Sequence, residues 1–346
     1  MADTLNSPLP TGRIGIIGGG SFGSALADII GTRGRPVSLW FRSPEAAADF
    51  NASHENKKYL PGLILSDHIT ATANLEEASR DCALVLICVP SPYFRDTARR
   101  LGAWMREDQM IVSTTKGIET GTFRLMTEIL AEEVRCKRIG ALSGPNLAKE
   151  IAARKISGTV IASAHDDLIA TVQELLSCSY FRVYSNPDVR GVELGGVLKN
   201  VYAIATGLAA ARDLGDNARG MILTRALAEM SRFAVQWGAD PLTFLGLAGV
   251  GDLVTTCTSP LSRNYRVGHL IGQGRSLEEA VREIGEVAEG VHTVRVVHEK
   301  LPELGIRMHI LEGLHALLFE NVPLEKVLRE LMNVPQMEDV EFGRRS

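Results

Sequence analysis

Two lysines, Lys116 and Lys199, stand in glycine-rich, polar surroundings that a packed core does not require but that proton transfer, or polarisation of a substrate oxygen, would. Lys116 lies in TTKGIE (114–119) and Lys199 in ELGGVLKN (193–200). Two further clusters combine glycine with polar groups. SGPN (143–146) brings Gly144 and Asn146, and GVGDLVTTC (249–257) is followed by Ser262, Arg263 and Asn264. Arg263 and Asn264 carry the planar fork and amide donors that suit a phosphate, while Asp252 can orient or pair with a lysine cation. Each residue also has a plainer reading. Lys116 can be a solvated loop lysine, Lys199 can snorkel from among Val197, Leu198 and Val201, and Ser262 can cap an ordinary helix that leaves Arg263 in water. Spacing alone leaves both sets of readings standing.

A different chemistry is encoded near the amino terminus. GGGSFG (18–23) follows the apolar run 13–17 and precedes a helix-compatible stretch, 24–32, which is the strand-to-helix setting in which G-x-G-x-x-G binds a dinucleotide. Gly18 permits the tight turn, Gly20 lets backbone approach a pyrophosphate, and Gly23 lets helix and strand pack closely. The helix amides then favour the anion. No Gly-Lys-Ser/Thr follows, which argues against a P-loop. An NAD-specific site usually carries an acid after the second strand for the ribose hydroxyls. LWFRS (39–43) places Arg42 and Ser43 there instead, a pair suited to a 2′-phosphate, so NADP is favoured. Glu45 keeps NAD open, and a solvated Arg42 is the plainer alternative.

These groups need strands and helices to hold them. Strands are predicted at 13–17, 37–41, 84–89, 110–114, 139–143, 159–162 and 180–184, mostly as continuous apolar runs of the kind covered on both faces. Helical stretches at 24–32, 93–104 and 123–133 alternate with them and imply a parallel sheet with right-handed crossovers. The loops with Lys116 and Asn146 follow strands, so both residues fall where open α/β sheets bind ligands, near the nicotinamide. Beyond Asn186 the signals turn helical. Segment 189–211 is followed by 217–237, where Ile222, Ala226, Met230, Phe233 and Trp237 recur at helical spacing. Ser276 with Glu279 forms a capping-box pattern, and Pro323 opens a last helix. The expected organisation is an α/β Rossmann-type domain over 1–187 and an all-α domain over 188–346.

Composition bounds the function. The 346 residues are 45% hydrophobic and 23% charged, enough for two folded domains with sizeable cores. A formal net charge of −4 without basic runs gives no reason to expect nucleic acid. The five cysteines, Cys82, Cys88, Cys136, Cys178 and Cys257, lack CxxC spacing and suit a reducing compartment, with Cys82 and Cys88 read as small core hydrophobes. Segment 1–11 lacks the basic start and apolar centre of a signal peptide, and no stretch approaches 18 uninterrupted apolar residues. A cytoplasmic protein without membrane insertion is expected. No HxH or HExxH pair occurs, and no metal is expected.

The glycine fingerprint, TTKGIE, SGPN, ELGGVLKN, GDNAR (215–219), GVGDLVTTCTSPLSRN (249–264) and VAEGV (287–291), taken in this order, resemble the NAD(P)-dependent glycerol-3-phosphate dehydrogenases of bacterial type, from Arg13 to about Met332. The resemblance implies a Rossmann domain followed by a helical domain of the 6-phosphogluconate-dehydrogenase-like kind. It also implies reversible reduction of dihydroxyacetone phosphate to sn-glycerol 3-phosphate for glycerophospholipid synthesis, in a homodimer. By matching positions, Lys199 resembles the family's proton acceptor in alcohol oxidation, and Lys116 the lysine that touches cofactor and substrate. Gly144, Asn146, Asp252, Ser262, Arg263 and Asn264 match substrate-contact positions, while Ser21, Phe22, Arg42, Ala148, Arg263, Val287 and Glu289 match cofactor-contact positions beside the fingerprint glycines. Two positions depart from the pattern: Phe22 stands where tryptophan is common, and Asn146 replaces a serine or threonine. A hydroxy-acid dehydrogenase of similar build, and a nucleotide-sensing module that has lost catalysis, are the competing readings. Retention of both lysines and Asp252 counts against the second.

Overall fold

The computed structural model describes residues 12–285 and 288–335. The expectations that rest on segment 1–11, on Val287 and on the tail 336–346, which is charged and expected to fray, lie outside the described residues. The chain divides into two compact units. One comprises the chain up to Glu119 together with Arg124–Val189, and the other comprises Thr120–Phe123 together with the chain from Arg190 onward.

The first unit is built on one eight-stranded sheet, ordered β3-β2-β1-β4-β5-β6-β7-β8. Its strands are β1 (Arg13–Ile17), β2 (Val37–Trp40), β3 (Ile69–Thr72), β4 (Cys82–Ile87), β5 (Met110–Ser113), β6 (Arg138–Ser143), β7 (Ser157–Ser163) and β8 (Phe181–Asn186). Helices α1 (Ser21–Gly31), α2 (Pro44–Ser53), α3 (Phe94–Gly102), α4 (Met126–Glu133), α5 (Ala148–Ala152) and α6 (Asp166–Leu176) connect them. Alternate residues of β1 serve opposite faces. Ile14 and Ile16 join a core with Leu26, Leu86 and Leu168, while Ile17 joins Val85, Phe94 and Ile129. That double burial is why the central strands read as unbroken apolar runs.

Three features differ from the sequence reading. Strand β3 was not anticipated, because ITAT is a four-residue edge strand with alternating burial rather than a continuous apolar run. Pairing is parallel throughout except between β6 and β7, where Gly140 faces Ser163 and Ser143 faces Val160 in antiparallel register. The intervening segment holds only the five-residue α5, too little for a parallel crossover. The helix expected from 123 starts at Met126 instead, since Phe123 adopts φ 59°, a left-handed conformation outside any right-handed helix.

The second unit is helical: α7 (Val189–Ala211), α8 (Gly215–Gln236), α9 (Asp252–Thr258), α10 (Arg263–Gly272), α11 (Leu277–Ile284), α12 (Glu289–Leu304), α13 (His309–Phe319) and α14 (Leu324–Met332). By length and composition α7 could cross a membrane, but 83% of its most apolar window is buried, as befits the central helix of a packed unit. Phe123 belongs to this unit, with its ring stacked on Trp237 at 4.7 Å. Ser276 and Glu279 close the reciprocal capping box at the start of α11. All five cysteines are free thiols. Burial pushes those of Cys82, Cys88 and Cys257 up to about 12, so they are inert as nucleophiles.

Candidate active site

In the first unit the glycine turn lies at the carboxyl end of β1. Gly18 has φ 126°, and a Cβ on Gly23 would lie 2.0 Å from the Gly18 carbonyl oxygen, so neither position accepts another residue without a shift in the backbone. The Gly18 and Gly19 amides donate to the Trp40 carbonyl at 3.3 and 2.8 Å. From the loop after α2, the buried Asn56 donates to the Gly19 carbonyl at 2.9 Å and to Ser24 Oγ at 2.8 Å. Sequence reading missed Asn56, which carries no motif. Gly20 is the N-cap of α1, without a side-chain cap, and nothing lies within 4 Å of where its Cβ would be. A first turn without a side-chain cap, beside a position stripped of side chain, fits the pyrophosphate of a dinucleotide.

At the end of β2 no acid takes the usual ribose position. Arg42 is exposed, with its guanidinium 5.9 Å from the centroid of the Tyr93 ring. Ser43 is occupied in capping α2: its Oγ accepts from the Ala46 amide at 3.2 Å and donates to Glu45 at 2.5 Å. This hydrogen bond holds the Glu45 carboxyl below its ordinary range and engages it locally.

The Lys116 loop is tied to its neighbours at each step. Thr114 Oγ1 donates to the Ile87 carbonyl at 3.0 Å and Thr115 Oγ1 to the Val89 carbonyl at 2.6 Å. A Cβ on Gly117 would lie 2.2 Å from Ser91 Cβ, so only glycine lets the loop lie this close. Lys116 Nζ donates to the Gly144 carbonyl at 2.9 Å, joining the loops that follow β5 and β6. In the second of those loops Asn146 Nδ2 donates to Thr159 Oγ1 at 3.0 Å. Asn146 Oδ1 and Ser143 Oγ are buried without a hydrogen-bond partner among the described residues. Ala148 is half-buried at the start of α5.

In the helical unit Lys199 is 6% exposed and Asp252 1%. Burial removes the snorkelling alternative for Lys199. Its ammonium is paired with Asp252 and donates to Thr256 Oγ1 at 2.6 Å. Gly195, one turn before Lys199 on the same face, makes this possible. A Cβ there would lie 2.4 Å from the Ala248 carbonyl, so the wide turn Leu247–Gly251 rests directly on α7 and delivers Asp252 to the lysine. Thr256 was not singled out from the sequence, although it lies four residues beyond Asp252 on α9 and therefore shares its face.

Asn264 is buried and bridges three helices: its Nδ2 donates to Asn200 Oδ1 at 2.9 Å, and its Oδ1 accepts from the Gly290 amide at 2.9 Å. One of its two N–H donors is thereby committed. Gly290 is required at that contact, since a Cβ would lie 2.4 Å from the Asn200 carbonyl. Ser262 caps α10 by accepting from the Tyr265 amide at 3.3 Å, and Arg263 begins that helix with its side chain exposed. Glu289 opens α12, half-buried. The structure thus assembles Lys199, Asp252 and Thr256 into one cluster, and Asn264 into a neighbouring network through Asn200 on α7.

Comparison with known proteins gives a consistent result. Residues 13–169 match the family described as NAD-dependent glycerol-3-phosphate dehydrogenase N-terminus, and residues 188–329 match its C-terminus counterpart. Glycerol-3-phosphate dehydrogenase (NAD(P)+) of Alcanivorax borkumensis is 50% identical over 94% of this chain and 95% of its own length. That of Saccharophagus degradans is 51% identical over 94% and 91%. Among solved structures, glycerol-3-phosphate dehydrogenase from Coxiella burnetii aligns with a TM-score of 0.89 and 35% identity, covering 93% of this chain and 99% of that one. The yeast enzyme aligns with a TM-score of 0.81 at 27% identity, covering 92% and 98%. With matches spanning both units and half of the residues shared with these relatives, the chain belongs to the NAD-dependent glycerol-3-phosphate dehydrogenase family.

Proposed function

We propose that this protein reduces dihydroxyacetone phosphate to sn-glycerol 3-phosphate, reversibly, with NADPH preferred to NADH. The observation that carries the chemistry is the buried Lys199, held by Asp252 and Thr256. Reduction of a ketone needs a hydride at carbon and a proton for the developing alkoxide. When bound, the reduced nicotinamide supplies that hydride. Lys199, as an ammonium, donates the proton; in the reverse direction, as a neutral amine, it takes one from the alcohol. Asp252 balances the buried charge and, with Thr256, aims Nζ. Lys116, tethered to the Gly144 carbonyl, places a second cation at the carboxyl ends of the strands, where it touches cofactor and substrate. Arg263, with Asn264 and Ser262, anchors the phosphate. Domain 1–187 holds the dinucleotide through Gly18, Gly20, Ser21, Phe22, Gly23 and Arg42, joined by Ala148, and domain 188–346 holds substrate and the proton carrier, with Glu289 and Val287 completing the cofactor contacts.

NADP preference rests on Arg42 at the end of β2 and on Glu45 being engaged by Ser43. The enzyme works in the cytoplasm as a homodimer, and its product feeds glycerophospholipid synthesis. Loss of absorbance at the reduced nicotinamide band, on mixing the protein with dihydroxyacetone phosphate and NADPH, tests the reaction. A parallel series with NADH ranks the cofactors by kcat/KM. No loss with either cofactor, in folded protein that binds NADPH, overturns the assignment.

A further inference from the structure

The Lys116 loop ends on Glu119, whose carboxylate is gripped from α3 by Arg95. Arg95 Nε lies 2.5 Å from Glu119 Oε1 and Nη2 lies 2.7 Å from Oε2, a two-pronged contact. The same guanidinium reaches α4, with Nη1 2.6 Å from Glu133 and Nη2 2.8 Å from Glu132. Arg99 also meets Glu133 at 3.4 Å, and Arg124 meets Glu132 at 2.9 Å, which links three arginines and three glutamates. Arg95 and Glu119 are only 23% and 20% exposed, which keeps the contact less screened than an ordinary surface pair. Arg95, through its hydrogen bond, holds the Glu133 carboxyl below its ordinary range.

Between this clamp and Lys116 the chain has no slack. Ile118 is 1% exposed, Gly117 lies against Ser91, and the Glu119 amide donates to the Arg124 carbonyl at 2.9 Å. We propose that Arg95 is a positioning residue: by gripping Glu119 it sets where the Lys116 ammonium stands for substrate and cofactor. A carboxylate three residues beyond a functional lysine, locked in two hydrogen bonds to a helix, turns a loop lysine into one with a defined place. Glu132 and Glu133 on α4 also hold the same guanidinium.

This inference rests on the role proposed for Lys116, and a double-mutant cycle separates the two. Arg95→Met is expected to lower kcat/KM for dihydroxyacetone phosphate roughly tenfold or more, the scale on which small displacements of a reacting group act. Arg95→Lys, which keeps the charge but not the fork, should restore part of the loss, and Glu119→Gln should fall between wild type and Arg95→Met. In a Lys116→Ala background Arg95→Met should cost little further. Equal losses in both backgrounds would make Arg95 a general stabiliser of the fold and overturn the proposal, as would wild-type kinetics for Arg95→Met and Glu119→Gln alike. Lys116→Ala with wild-type kinetics would instead remove the role of Lys116 itself. Should Arg95→Met fail to fold, Arg95→Lys and Glu119→Gln carry the same cycle.

Discussion

The two units hold their candidate functional groups by opposite means. In the sheet unit the work falls to backbone: a glycine turn, uncapped helix amides and the Gly144 carbonyl under Lys116, while Arg42 stays exposed. Asp28 is the one charged-type side chain buried there among the described residues. The helical unit buries Glu193, Lys199, Glu229 and Asp252. Backbone at strand ends comes into place with the fold and needs no desolvation beyond what the sheet already requires. Buried charges must be satisfied one by one, and breaking a pair costs about 3–5 kcal/mol because it strands a charge. Substitutions of the buried charges in the helical unit should therefore disturb stability along with any chemistry they serve, whereas exposed groups such as Arg42 in the sheet unit should disturb binding more than folding.

The strongest test of that contrast is Lys199→Ala. Turnover should fall at least roughly a hundredfold, the lower end of general acid–base contributions, while NADPH binding, measured by nucleotide fluorescence, stays near wild type. Because the change also leaves Asp252 buried without its cation, the urea midpoint should fall as well. Near-normal turnover would mean that another group supplies the proton.

Glu229 extends the comparison to pH. Its carboxylate accepts from Tyr202 Oη at 3.0 Å and from the Ile310 amide at 2.9 Å, linking α8 to α7 and α13. Burial pushes its pKa up to about 7, against the downward pull of those donors and of Arg232. A raised carboxyl favours the folded state when protonated. Its contribution is complete below the ordinary carboxyl pKa of about 4.5 and is lost as pH rises through about 7, a span on the order of 2–3 kcal/mol between pH 5 and 8. Glu229→Gln should flatten stability against pH over that window, read as urea midpoints of both proteins at each end. An unchanged slope would place the titration elsewhere.

What could be read without coordinates follows the same division. The apolar strands, the glycine turn and the strand-end loops of the sheet unit each announce themselves within a short window, as does the long apolar α7 of the helical unit. The edge strand β3 and the antiparallel step into β7 were not, since four alternating residues and a five-residue helix leave weak local signals. In the helical unit Lys199 and Asp252 were visible as residues, but their meeting across 53 positions depends on Gly195 letting the turn Leu247–Gly251 lie against α7. Glu229 and Tyr202 lie in no motif, and Glu119 ends TTKGIE without any signal pointing to Arg95. Buried or clustered charge pairs join distant segments, and single-sequence periodicity records burial but not partners.

Arg263→Ala probes the cation proposed to anchor the phosphate, whose side chain is exposed. Losing a charge-assisted contact of about 1.5–3 kcal/mol should raise KM for the phosphorylated ketone roughly ten- to a hundredfold, with little change in stability. A large drop in the urea midpoint together with an unchanged KM would group Arg263 with the structural charges and erase the distinction between exposed anchor and buried support.

Arg42→Ala is the mildest change and the one that isolates the sheet unit. Its guanidinium is exposed beside Tyr93, so the fold should be nearly indifferent to it. A 2′-phosphate carries a charge that the NADH ribose lacks, and one solvent-exposed charge-assisted contact to it amounts to about 1 kcal/mol. KM for NADPH should rise several-fold, with KM for NADH and the urea midpoint unmoved. If both cofactors weaken equally, Arg42 meets a part they share, such as the adenine or the pyrophosphate. The proposed preference for NADP would then need another side chain at the end of β2, where Ser43 is already committed to the α2 cap and to Glu45.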